Sequence, residues 1–129
     1  MPAKKKQSFS LSRAKGAKFR KDGLRAFFEY RDLGIKEATH GRFNAEVIRA
    51  GTVKNYTRAG QHYHKLEFQL VYVLKGWVKF DYEGEGSFTL KTRDCVLQPP
   101  EIRHELTAFS KDMELLEVTS PADFRTLTA

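Results

Sequence analysis

A neutral imidazole is the commonest protein ligand for a divalent transition metal. Three of the four histidines in this 129-residue chain fall in two short segments. The first reads Gly60-Gln61-His62-Tyr63-His64. Side chains alternate along an extended strand, so His62 and His64 point to one face and can grip one ion. The second, Gln98-Pro99-Pro100-Glu101-Ile102-Arg103-His104, brings a third imidazole some forty residues later. A closed barrel would set that strand beside the first. Taken singly, a histidine on a strand is more often a packing or hydrogen-bonding residue; the spacing of the three together points to a metal. His40, in a Thr39-His40-Gly41 turn, reads as a surface residue, and Tyr63 projects away from the histidine pair.

Strands must position these rings. From Arg42 onward the hydrophobic pattern has period two. Phe43, Ala45 and Val47, with Arg49, alternate with Asn44, Glu46 and Ile48, a half-buried strand ending at Gly51. Residues 69–75 are apolar on both faces and read as a central strand. Val78, Phe80 and Tyr82 share a face; Glu83-Gly84-Glu85-Gly86 is a turn leading to a partner strand with Phe88 and Leu90. Cys95–Gln98 is a short strand stopped by Pro99-Pro100, and 104–109 and 113–119 complete the set. Seven or eight strands spaced by about ten residues indicate an all-β sandwich or barrel. Helix is minor, with turns expected around 35–39 and 121–124, and there is no internal repeat.

With these residues in place, the sequence resembles a small single-domain member of the cupin superfamily. That family's first motif runs Gly, five residues, His-x-His, three or four residues, Glu, six residues, Gly; its second runs Gly-Asp, four residues, Pro-x-Gly, two residues, His. His62, His64, the spacing to residue 69 and on to Gly76, then Asp94, Pro99 and His104 fall into this pattern. The resemblance covers roughly 56–104 and by strand spacing about 42–119. It implies a jelly-roll barrel (double-stranded β-helix) with a metal at its centre, held by His62, His64, Gln69 and His104. Four family positions differ: the glutamate is Gln69, and glycines are replaced by Tyr56, Arg93 and Glu101. Three imidazoles and an amide oxygen leave a divalent ion its full charge, so it binds less tightly and acidifies bound water more. This donor set suits Fe(II), Mn, Ni, Co or Zn. Glu67 shares strand parity with Gln69 and is the alternative oxygen donor at the rim.

Gln98, on a strand beside the metal, is a candidate substrate contact, and Tyr82, Phe80 and Phe109 are candidate pocket walls, or core like Tyr72 and Trp77. Cys95 reads as a buried, inert thiol. The family resemblance implies no single reaction. Members with three histidines and no ionised carboxylate ligand include oxygenases of thiols and diketones, so a dioxygenase-like enzyme acting on a small organic molecule is the leading expectation. A non-catalytic metal- or ligand-binding module and a metal-dependent isomerase or hydrolase are the alternatives. The resemblance also implies a homodimer paired through sheet edges or swapped termini.

Composition bounds the rest. Forty per cent hydrophobic and 30% charged residues over 129 positions suit one domain with its own core. The single cysteine excludes a disulfide framework and a four-cysteine zinc module. No apolar run reaches the roughly 18–20 residues of a membrane helix, and no apolar signal segment follows the N-terminus, so a cytoplasmic protein is expected. The net charge of +7 is concentrated: residues 1–25 carry nine basic side chains and one acid, whereas 26–129 carry 14 basic and 15 acidic groups. The chain therefore divides into a basic extension, 1–25, and a nearly neutral barrel domain, 26–129. The extension reads as a solvated arm, or one packed on its own body or a neighbouring subunit. Nucleic-acid binding and organelle targeting are weaker readings, since like-charge runs usually stay in water.

Overall fold

The computed structural model describes residues 6–21, 27–51, 56, 58 and 60–129. Its strands are β1 (Phe28–Asp32), β2 (Asn44–Ala50), β3 (His62–Lys65), β4 (Phe68–Lys75), β5 (Trp77–Tyr82), β6 (Gly86–Lys91), β7 (Cys95–Leu97), β8 (His104–Phe109), β9 (Glu114–Ser120) and β10 (Arg125–Thr128), with one helical turn, α1 (Ile35–Ala38). They form two five-stranded sheets, ordered β1-β2-β9-β4-β7 and β10-β3-β8-β5-β6, paired antiparallel throughout. This is the jelly-roll expected. Among the described residues no helix is long and apolar enough to cross a membrane.

The interior has two ends, and the strand sequences dictate them. Along the inward face of β4, Gln69 is followed by Val71 and Val73; along β9, Leu115 is followed by Glu117 and Thr119; along β2, Asn44 and Glu46 precede Ile48. Because neighbouring strands are antiparallel, the polar positions coincide at one end and the aliphatic ones at the other. The aliphatic end is a core of Val71, Val73, Val78, Leu90, Met113 and Leu115 with Phe28, Tyr30 and Phe80. Burying each such side chain is worth about 1.5–3 kcal/mol, which fixes the register of both sheets. The polar end is left as a cavity.

Tight junctions hold the sheets in phase. Gly76 joins β4 to β5 at φ +69°, and a Cβ there would stand 2.1 Å from Ser110 Oγ and 2.6 Å from Asp112 Oδ1. Arg93 and Glu101, where the family pattern has glycine, adopt φ of +77° and +64°; the backbone keeps the left-handed turns and these side chains bear the strain. Around 121–124 the chain makes bends rather than the helical turn expected.

The described part of the N-terminal segment lies against its own barrel. Arg20 bridges Tyr30 on the β1 edge, Ser8 N–H donates to Ala38 O, Arg31 donates to Ser12 Oγ, and Phe19 stacks 3.6 Å from the Arg49 guanidinium. Residues 1–5 and 22–25 of that extension lie outside the described residues. Cys95, expected buried, is exposed: it sits on the outward face of the edge strand β7.

Candidate metal centre

The pairing of β3 with β8 places His62 directly opposite His104, and His64 follows two residues on, on the same face. The three rings are centred 4.4–5.0 Å apart and are buried. One ring nitrogen from each lies within 4.8 Å of the others. Metal–nitrogen bonds near 2.0–2.1 Å place neighbouring ligand nitrogens about 3–3.5 Å apart, so closing on an ion takes side-chain shifts of about 1 Å. Outer partners orient the rings. His104 Nδ1 lies 2.9 Å from Ile102 O, which only accepts, so Nδ1 carries the proton and Nε2 the lone pair. His64 Nδ1 engages Thr126 Oγ1 at 2.8 Å, which turns its Nε2 to the ligating role. Such second contacts are what a metal-binding imidazole requires. The donor set fits a divalent transition metal.

A cavity of about 330 Å³ opens beside the triad. Gln69, Gln98 and Phe80 line it; Tyr82 stands behind Gln98, and Phe109 packs against Phe28 and Tyr56 away from the lining. Glu67 is exposed and outside the lining, so of the two oxygen donors read from the sequence it is Gln69 that faces the cavity. Gln69 Nε2 donates to Glu117 Oε2 at 3.2 Å, leaving Oε1 as the amide atom for a cation. The Gln98 amide is fixed in the opposite sense. Tyr82 O–H donates to its Oε1 at 2.7 Å, and its Nε2 lies 3.5 Å from His104 Nε2. Burial pushes the Tyr82 phenol well above the usual tyrosine range, so it remains a donor. Gln98 thus presents an N–H beside the nitrogen that would hold an ion.

Two carboxyls in the cavity are absent from the sequence reading. Glu46 on β2 and Glu117 on β9 are directly opposite in register, and both line the cavity. Burial, then the neighbouring Glu46, raises the Glu117 carboxyl to about 7, against the lowering effect of Gln69. Glu46 is also raised, by burial first; Arg20, 3.8 Å away, lowers it and Asp32 raises it. The signal was present in the alternation of β2, but its phase is the reverse of that expected. Asn44, Glu46 and Ile48 face inward, and Ala45, Val47 and Arg49 outward. Next to the triad, Glu105 accepts two bonds from Arg58, 2.7 and 2.8 Å, and one from Gly60 N–H. The Arg58 contact holds its carboxyl below the ordinary range and ties the His62 approach to β8.

No curated protein matches the chain in sequence. Among solved structures it is similar to KdgF from Halomonas sp. (TM-score 0.70, 18% identity, 88% of this chain and 94% of that one). It is also similar to the polyketide cyclase RemF from Streptomyces resistomycificus (TM-score 0.73, 15% identity, 95% and 86%). An RmlC-like cupin from Shewanella frigidimarina matches at TM-score 0.60 and 17% identity over 92% and 96%. At these identities the likeness is one of fold. The family model of the cupin domain matches residues 52–119, more than half of the sequence and both histidine segments, and this chain belongs to the cupin family.

Proposed function

We propose that this protein is a divalent-metal-dependent enzyme that moves a proton on a small organic molecule held between its two sheets. His62, His64 and His104, with Gln69 Oε1, are the proposed ligands; the ion is Fe(II), Mn, Ni, Co or Zn. The observation that carries the reading is the shared cavity: three imidazoles on one sheet face a cross-strand carboxyl pair, Glu46 and Glu117, on the other. When bound, the metal supplies Lewis acidity toward a substrate oxygen. The chain supplies the rest. Gln98 Nε2–H donates to that oxygen and orients it. Two carboxyls set directly opposite each other ionise together only at a cost, so one keeps a proton while the other accepts. The aromatic walls exclude water from the exchange.

The test is solvent-deuterium incorporation into small carbonyl and enol compounds by the metal-loaded protein without oxygen. Exchange in the wild type that is lost in both Glu46→Gln and Glu117→Gln supports the proposal. A second reading, a dioxygenase-like reaction, draws support from a ligand set with no ionised carboxylate. Oxygen consumption against thiols, diketones and phenols, with no anaerobic exchange, would establish it instead. A metal-loaded protein inactive in both assays would be a non-catalytic binding module.

We further propose a homodimer, with 1–25 as an extension of a 26–129 barrel domain. The outward side of the first sheet supports this, because it carries two apolar rungs where a solvated sheet should be polar. One is Leu97-Leu70-Val118-Ala45 and the other Cys95-Tyr72-Leu116, which ends at Val47, already buried within the protomer. Four strands of this length cover roughly 400 Å² in plan, short of the about 800 Å² per partner of a stable complex. Phe9 and Leu11, exposed on the arm, supply more apolar area. Light scattering should give a dimer that weakens when 1–21 are removed and dissociates in Leu97→Glu with Leu70→Glu; a monomeric wild type refutes it. A cytoplasmic site accords with the exposed thiol of Cys95.

A further inference from the structure

The wall opposite the histidines is rich in hydrogen-bond acceptors. Glu46, Glu117 and Asp123 line the cavity, and among the described lining residues there is neither lysine nor arginine. Asp123 is largely neutralised by Lys36, 2.8 Å away, so the character of the wall rests on the other two. Arg20 lies 3.8 Å from Glu46, but it belongs to the N-terminal arm, is more than half exposed and is not part of the lining. It offsets one charge of a row that also includes Asp32, opposite Glu46 on β1. Tyr30, Phe28 and Phe80 add aromatic faces, which accept a cation or a C–H edge and repel an anion.

Resting on the reading of the site given above, we infer that the cavity takes a molecule with an oxygen donor at its metal-facing end and an uncharged or ammonium-bearing far end, and discriminates against a carboxylate or phosphate there. The two ends meet different chemistry. Imidazoles and the Gln98 N–H hold an oxygen at the triad. Carboxyl oxygens across the cavity ask for N–H or O–H donors; the Asn44 amide and Thr119 hydroxyl beside them can donate but carry no charge, so an anionic far end still meets like charge there. Unit charges a few ångströms apart in partly solvated protein change an affinity by roughly tenfold to a hundredfold. With Arg20 offsetting part of the field, about tenfold is the expected discrimination.

Three probes on one frame test this: 4-methylcatechol, dopamine and 3,4-dihydroxyphenylacetate share a pair of oxygen donors and differ only in the far end. The full-length protein is loaded with Co(II) and desalted, and each probe is titrated at pH 8 while the visible Co(II) absorption is followed. Dopamine and 4-methylcatechol should bind about tenfold or more tighter than 3,4-dihydroxyphenylacetate, and Glu46→Gln should narrow that gap to within about threefold. Equal or tighter binding of the carboxylate by the wild type, no spectral response to any probe, or an unchanged gap in Glu46→Gln overturns the inference while leaving the metal centre standing. A protein that takes up no Co(II) refutes the metal centre itself, and the inference falls with it.

Discussion

Replacing Gln69 by glutamate should have opposite effects on the metal-free and metal-loaded protein. Gln69 is only 4% exposed, and its Nε2–H donates to Glu117 Oε2 at 3.2 Å. Gln69→Glu exchanges that donor for an oxygen, so two carboxyl groups face each other where an amide bridged them. At pH 8, above the value of about 7 to which burial raises Glu117, a buried hydrogen bond to a charged acceptor contributes about 1.5–3 kcal/mol, and like-charge repulsion adds to its loss. The metal-free variant should therefore be less stable by about 2–4 kcal/mol. For a chain of this size that is a drop of roughly 6–16 °C in Tm. With a divalent ion present the new carboxylate becomes a charged ligand. Affinity should rise at least about tenfold, and the Tm gain on adding metal should exceed that of the wild type. Scanning calorimetry with a chelator and with added Zn(II), alongside competitive metal titration, reads both effects. Glu117→Gln combined with Gln69→Glu restores the donor–acceptor pair with its polarity reversed and should recover the metal-free Tm. If Gln69→Glu leaves the metal-free Tm unchanged and does not tighten metal binding, residue 69 is not between the triad and Glu117, and the site as described is wrong.

Other substitutions probe the parts separately. Gly76→Ala places a Cβ 2.1 Å from Ser110 Oγ in a left-handed turn, and urea denaturation should show a loss of about 3 kcal/mol or more. Arg93→Gly relieves the strain of φ +77° against the higher entropy of an unfolded glycine, so it should be neutral to about 1 kcal/mol stabilising, whereas Arg93→Val should destabilise. Glu46 has a folded pKa above its unfolded value, from burial and from Asp32 against the pull of Arg20. Its contribution is therefore most favourable below the unfolded carboxylate pKa and is lost as pH rises through the folded one. Glu46→Gln should flatten the fall in chemical-denaturation stability above about pH 4.5; an unchanged pH profile would show that Glu46 is solvated.

Local alternation made the histidines legible, and topology completed them. His62 and His64 share a face by the period of a strand, and only the crossover that seats β8 beside β3 brings His104 opposite His62. Motif spacing pointed to Gln69 and strand position to Gln98, both of which line the cavity, and the positive φ at Arg93 and Glu101 matches the family's glycines at those positions. The carboxyl pair was not legible, for a physical reason. Period two names two faces of β2 and leaves hydrophobicity to choose between them. Here it chose the wrong one, because both faces are sheltered. The N-terminal segment lies over the outer side through Phe19 on Arg49 and Arg20 on Tyr30, so Val47 is buried there. Glu46 and Asn44 occupy the inner side because the barrel is hollow at that end. The same reasoning explains Cys95, apolar by type yet outward on an edge strand. Polar residues facing a barrel interior have no hydrophobic signature of their own; they become visible only when register is known. In β9, Leu115, Glu117 and Thr119 alternate with Leu116 and Val118, and the pattern reads equally well in either phase. What decides it is the cross-strand pairing of Glu117 with Glu46 and Val71, contacts between residues some seventy and some forty-five positions apart. A cavity that sets acceptors against imidazoles is thus specified by register, and a one-residue slip of β2 would turn Glu46 to the outside and leave Glu117 without its cross-strand carboxyl partner.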